Sequence, residues 1–122
     1  MSNSGSGLSF FDRRQDGEVV LLTVTKDNLT DEENLEQFGQ ELSFVAESHA
    51  PCRMVCDLAR VRYLTSSAIG KLISLHRKLT RSNGRIILCS LQPTVQQILA
   101  ASHLLNYFEV TEDSNHALAK LK

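Results

Sequence analysis

The sequence predicts an α/β domain: a five-stranded mixed sheet, mostly parallel, with an antiparallel N-terminal hairpin and four helices. Three observations carry this. Short segments rich in Val, Ile and Leu alternate with longer segments whose apolar residues recur at helical spacing. The first two strand-like segments, 10–13 and 19–24, flank Gln15-Asp16-Gly17, a short turn that makes a hairpin. Pro51, Asn83-Gly84 and Pro93 punctuate the remaining segments. Strands alternating with helices imply right-handed crossovers between parallel strands.

The elements follow in order. Residues 1–7 read as a flexible polar tail, and 8–122 as one domain. Val19, Val20, Leu21, Leu22 and Val24 form a nearly continuous apolar run, as in a strand covered on both faces. Thr30 or Asp31 starts a helix with Asp31, Glu32 and Glu33 in its first turn, where carboxylates suit the dipole. Leu35, Phe38, Leu42 and Val45 give it one apolar stripe. Gly39 inside it costs about 1 kcal/mol relative to alanine, so either a close packing contact explains it or the helix simply tolerates it. Residues 52–58 form the third strand. A second helix, 66–82, turns Ile69, Leu72, Ile73, His76 and Leu79 to one side. Asn83-Gly84 stops it, because glycine takes the left-handed conformation cheaply. Residues 85–89 are the fourth strand. Pro93 opens a third helix with Val95, Ile98, Leu99 and Ser102 inward. Residues 107–111 form the last strand, and Asp113 or Ser114 caps a helix carrying Ala117, Leu118 and Leu121.

Composition excludes several classes of function. A net charge of −1 gives no broad attraction for nucleic acid or anionic lipid. No apolar run approaches the roughly 20 residues of a membrane span. The first seven residues have neither a basic start nor an apolar stretch, so no secretory signal is expected and a cytoplasmic location is. Three cysteines, Cys52, Cys56 and Cys89, argue against a disulfide framework and suit buried thiols in a reducing compartment. Cys52, Met54 and Cys56 share a strand face, the two thiols about 13 Å apart along the chain, too far for a bridge.

No catalytic set is legible. His49, His76, His103 and His116 are scattered, and none has metal-ligand spacing or a neighbouring nucleophile. His76 reads as a hydrogen-bonded residue at the edge of the core. No phosphate loop is present, and no metal or cofactor is expected. The informative stretch runs from Asp57 to Gly70: a strand end, a loop and a helix start with Ser66 and Ser67 at the turn. A helix start presents unpaired N–H groups and partial positive charge. A hydroxyl there caps the helix, binds an anion or accepts a phosphate. Arg53, Arg60, Arg62, Lys71, Arg77, Lys78, Arg81 and Arg85 crowd the middle third. Arg77, Lys78 and Arg81 read as a solvated helix face, whereas Arg60, Arg62 and Lys71 flank the serines, where an acidic partner or a phosphate would meet them.

The order of elements, with Asp57-Leu58 followed by Tyr63-Leu64-Thr65-Ser66-Ser67-Ala68-Ile69-Gly70, resembles the STAS family, which includes the anti-sigma factor antagonists. The family pattern is a strand ending in Asp-Leu, a hydrophobic pair, Asp-Ser-Ser-Gly-Leu-Gly and a helix. The likeness extends from about Leu8 to Leu121. It implies that Ser67 accepts a phosphate from a partner serine kinase that is itself the anti-sigma factor, with Thr65 and Ser66 as alternative acceptors. It also implies that a Ser/Thr phosphatase resets the switch. Gly70 matches the last glycine of the motif, where close backbone approach is possible. Two positions depart from the pattern: Thr65 stands for its Asp, where it can still cap the helix, and Ala68 for its first Gly.

The expectation is a partner-switching regulator without enzymatic activity, binding its kinase through the exposed face around Arg60, Arg62, Thr65, Ser66, Ala68 and Lys71. It is expected neither to bind nucleic acid nor to insert in membranes. One alternative is a STAS subunit or scaffold of a larger assembly, a lipid transporter or signalling complex, without phosphorylation. Another is a small enzyme using the helix start as an anion site, with Asp57 as its base.

Overall fold

The computed structural model describes residues 8–30, 32–48 and 51–122. The 1–7 tail, Asp31 and His49 lie outside them. The elements are β1 (Phe11–Asp16), β2 (Val19–Val24), β3 (Asn28–Leu29), α1 (Glu32–Ser48), β4 (Arg53–Asp57), β5 (Tyr63–Leu64), α2 (Ser66–Arg81), β6 (Arg85–Cys89), α3 (Pro93–Ala101), β7 (Glu109–Thr111) and α4 (Ser114–Leu121). The main sheet has five strands in the order β1-β2-β4-β6-β7. The β1–β2 pair is antiparallel and the remaining pairs are parallel. This is the expected mixed sheet with four helices.

Strand alternation sorts side chains onto two covered faces. Val20, Leu22, Met54, Cys56, Ile86 and Leu88 face a core completed by α1, α2 and α3. Val19, Leu21, Val55, Ile87 and Cys89 pack against Ala117 and Leu121 of α4. Burial of each large apolar side chain contributes about 1.5–3 kcal/mol. Phe38 of α1 anchors the first face, stacked on Phe11 at 5.3 Å and edge-on to Phe10 at 5.8 Å. Cys52 and Cys56 lie on the first face and Cys89 on the second.

Several boundaries differ from the sequence reading. β1 runs on to Asp16, which pairs with Val19, so Gly17 and Glu18 alone make the turn. Gly17 takes φ +62°, the left-handed backbone such turns need. Asn83, not Gly84, is the left-handed residue after α2, with φ +63°. Asn83 N–H donates to the Thr80 carbonyl and Gly84 N–H to that of Leu79, a Schellman closure. Gly84 is needed for a different reason: a Cβ there would stand 2.5 Å from the Cys52 carbonyl oxygen. α3 ends by the same closure through His103, so Ser102 is an exposed cap rather than an inward residue. Cys52 precedes β4, and Tyr107 and Phe108 precede β7. β3 and β5 form a separate two-stranded parallel pair that the sequence reading missed. Two residues are too few for a period.

Of the two readings of Gly39, the close contact holds. A Cβ there would lie 2.7 Å from Cδ of Lys71, whose stem crosses α1. Glu41 is the buried polar residue that fixes the entry to β1. Its Oε1 accepts from the N–H groups of Ser9 (3.1 Å) and Phe10 (3.0 Å), and its Oε2 from Ser9 N–H and Gln37 Nε2 (both 3.0 Å). An amide in its place has one acceptor oxygen, so at least one of these donors loses its partner. Glu41→Gln is expected to cost about 1–2 kcal/mol, read as a lower midpoint in urea. An unchanged midpoint would show that Glu41 does not hold this segment.

At α4, Asp113 is the N-cap. Its Oδ1 accepts from the His116 N–H at 2.9 Å and contacts His116 Nδ1 at 2.8 Å. The side-chain bond from Asp113 raises His116 above its ordinary 6.5. The backbone and side-chain bonds from His116 lower Asp113 below 3.8. The His116 contribution to stability is therefore complete below pH 6.5 and fades as pH rises through its higher folded value. The Asp113 contribution is complete above pH 3.8 and fades as pH falls through its lower one. Asp113→Asn is expected to return His116 toward 6.5 in an NMR titration; a titration identical to wild type would refute the pairing.

Candidate functional site

The candidate site is built where β4 leaves the sheet and α2 begins. Ligand crevices of α/β folds lie at this carboxyl end of the strands. Leu58 N–H donates to the Cys89 carbonyl (3.0 Å), carrying the sheet one residue past β4. Asp57 Oδ1 then accepts from Ala59 N–H (2.9 Å), and Val61 N–H closes onto the Leu58 carbonyl (3.0 Å). Gln92 Nε2 holds the Ala59 carbonyl at 2.6 Å. Arg62 N–H reaches the Asp27 carbonyl (2.7 Å), and β5 pairs with β3. Leu58, Val61 and Leu64 are buried pegs, so Ala59, Arg60, Arg62 and Tyr63 are left outward. The loop is thus short, polar outside and fixed at both ends.

Thr65 caps α2 from an extended backbone, φ −95° and ψ 172°. Its Oγ1 accepts from Ala68 N–H and donates to the Leu29 carbonyl, each at 3.4 Å. Its own N–H donates to that same carbonyl at 3.2 Å. The cap expected of Thr65 is therefore present, and its hydroxyl is engaged on both sides. Ser66 and Ser67 are exposed in the first turn, and their hydroxyls have no hydrogen-bond partner among the described residues. No acidic residue occupies that turn. The N–H groups of Ser66 and Ser67 have no acceptor within the helix, as at any helix start.

Two residues expected on the exposed face are placed otherwise. Ala68 is fully buried, because it begins the inward stripe Ala68, Leu72, Leu75 and Leu79. Its methyl points into the core and cannot meet a partner. Lys71 turns toward α1, where Nζ pairs with Glu36 at 3.3 Å, and so is not a free charge at the serines. Arg60 and Arg62 are exposed, with no ion pair or hydrogen bond from their guanidinium groups among the described residues. A Cβ on Gly70 would meet nothing within 4 Å, so any close approach there comes from outside the chain.

The other basic residues disperse. Lys78 pairs with Glu47. Arg53 and Arg85 lie at the opposite end of the sheet, donating to the Leu121 and Lys120 carbonyls at the end of α4. Arg85 also grips Glu109 through two bonds of 2.6 Å. His76 is half-buried at the core edge as expected, but its ring packs against Tyr107 (4.8 Å) and Phe108 (5.7 Å) and lacks the expected hydrogen bond among the described residues.

The site has little means of covalent chemistry. Asp57, the candidate base, is committed to the Ala59 turn. Burial pushes the Cys52 thiol up to about 11, against Arg13, and the Cys89 thiol to about 11, against a bond from Ser90. Burial raises Cys56 further, helped by Cys89 and Asp57. Such thiols are protonated at neutral pH and poor nucleophiles. No cluster of metal-ligating side chains exists among the described residues, nor is any helix there long and apolar enough to cross a membrane. Sequence reasoning missed the Leu29 carbonyl as the anchor of Thr65, and Tyr63 as an outward residue. The alternation of Tyr63 with buried Leu64 was the available signal.

This arrangement defines a small α/β domain that presents a hydroxyl-bearing helix start on a rigid loop. The chain belongs to the STAS domain family, whose model matches residues 11–117. It is 29% identical over 89 residues to BtrV of Bordetella bronchiseptica, a protein bearing the name of an anti-sigma factor antagonist; the match covers 73% of this chain and 76% of that one. Its fold is that of an anti-sigma-factor antagonist (STAS) domain protein from Planctomyces limnophilus, with a TM-score of 0.78, 20% identity, and 92% and 97% of the two chains covered. It also matches the unphosphorylated form of the antagonist SpoIIAA, with a TM-score of 0.74, 20% identity, and 91% and 95% covered.

Proposed function

We propose that this chain is an anti-sigma factor antagonist that works by partner switching, with Ser67 as the switch. The unmodified chain binds an anti-sigma factor serine kinase and so frees the sigma factor. Phosphate on Ser67 ends that binding, and a Ser/Thr phosphatase restores it. The chain acts by binding, in the cytoplasm, with neither nucleic acid contact nor membrane insertion of its own. The observation that carries this reading is the state of the hydroxyls at the start of α2: Ser67 is exposed and unpartnered, while that of Thr65 is held on both sides. Thr65 is therefore a poor acceptor. Ser66, also exposed, is the remaining alternative. The likeness to BtrV and SpoIIAA supports the same class of partner. Contact is assigned to Arg60, Arg62, Tyr63, Ser66, Ser67 and Gly70, the outward residues of the loop and first turns.

Incubation with an anti-sigma factor serine kinase that binds the chain, with ATP, is expected to add one phosphate by intact mass. Fragmentation should place it on Ser67, and Ser67→Ala should abolish it. A stable complex that never acquires phosphate would reject the switch and favour a scaffold role in a larger assembly.

A further inference from the structure

We propose that Thr65 is the positioning residue that sets how this site receives phosphate: an uncharged cap that leaves the positive end of α2 to the Ser67 phosphate while tying that end to Leu29. The inference rests on Ser67 being the modified residue and adds what its neighbour does. Three observations carry it. Thr65 Oγ1 caps Ala68 N–H without adding charge. No acidic side chain lies in the first turn of α2, so nothing on that turn opposes a second negative group. The same Oγ1 donates to the Leu29 carbonyl, so one hydroxyl both accepts from Ala68 and donates to Leu29, which a carboxylate cannot do.

A carboxylate at position 65 would change both terms. It would still accept from Ala68 N–H and would suit the dipole of the unmodified helix. It cannot donate to the Leu29 carbonyl, and it would face that oxygen with like charge. It would also stand two residues from a phosphate carrying about −1.5 to −2 charges, so that each anion disfavours the other. With Thr65, the dianionic phosphate is the form that the helix end favours. With Asp, the dianion is disfavoured relative to the monoanion. The residue at this position thus biases the charge state of the switch.

The test uses the full chain with phosphoserine incorporated at position 67 during translation, so that no kinase is required. The second ionisation of that phosphate is followed by 31P NMR in wild type, Thr65→Ser, Thr65→Asn and Thr65→Asp. Free phosphoserine loses its second proton near a pKa of about 6. The wild-type and Thr65→Ser values are expected to agree and to fall below that. Thr65→Asp should lie at least about half a pH unit above wild type, a modest shift for two anions at close range. Thr65→Asn has the shape of Asp without its charge and should stay near wild type even if its melting temperature drops. Equal values in all four proteins, or an Asn shift as large as the Asp shift, would overturn the proposal. Failure of a kinase to modify Ser67 in the natural chain would instead overturn the switch reading, a separate result.

Discussion

Ser67→Asp is expected to bind the kinase at least tenfold more weakly than wild type while melting no more than about 4 °C from it. The two halves have different causes. Ser67 is exposed, and its hydroxyl makes no bond within the described residues, so the substitution removes no internal contact. The added charge stands at the positive end of α2, where it contributes a few tenths to 1 kcal/mol in favour of the helix. The Thr65 cap is untouched. A partner packed over the turn meets a different situation, because it must desolvate the charge. Without a cation to receive it, that penalty exceeds the roughly 1.4 kcal/mol that a tenfold loss requires. Ser67→Ala should bind as wild type does and never be modified. Calorimetric titration of both variants into the kinase, beside thermal melts, reads all three expectations. Equal affinity of the Asp variant and wild type would reject Ser67 as the switch.

Gly84→Ala is expected to be among the most damaging single-methyl changes in this domain. The new Cβ would lie 2.5 Å from the Cys52 carbonyl oxygen, 3.2 Å from the Cys52 nitrogen and 3.2 Å from the Leu79 carbonyl oxygen. All three are backbone atoms, and two already serve in structure: the Cys52 carbonyl accepts from Arg85 N–H and that of Leu79 from Gly84 N–H. Relief requires β4, β6 or the end of α2 to move. Overpacking of this kind costs about 1–3 kcal/mol, here toward the upper end. At about 4 °C per kcal/mol, the melting temperature should fall by roughly 10 °C. Gly70→Ala is the control. Its Cβ meets nothing, and alanine is preferred in a helix by up to about 1 kcal/mol, so that variant should melt at or above wild type. A Gly84→Ala midpoint equal to that of Gly70→Ala would refute the steric account.

The contrast between these glycines shows what a sequence can reveal. Both stand in one short stretch and look alike on paper. The close approach assigned to Gly70 is absent within the chain, while Gly84 has it against the backbone of a residue 32 positions away. The conformational role went to Asn83 instead. Likewise, Thr65 was legible as a cap, because a cap is a local event. Its second bond, to Leu29, was not, because it depends on a two-residue pairing between distant segments.

The sequence by itself determined the alternation of elements, the hairpin, the inward Ile69, Leu72 and Leu79 of α2 and Val95 and Leu99 of α3, and the place of Ser67 in the first turn of α2. Each follows from periodicity or a local signal within a few residues. Only the tertiary structure decided that Ala68 faces the core, that Lys71 is drawn to Glu36, and that the loop before α2 is pinned by Asp27, Leu29, Cys89 and Gln92. These depend on which residues remote in the chain arrive at the same place. The exposure of a side chain in the first turn of a helix is set by what packs beside that turn.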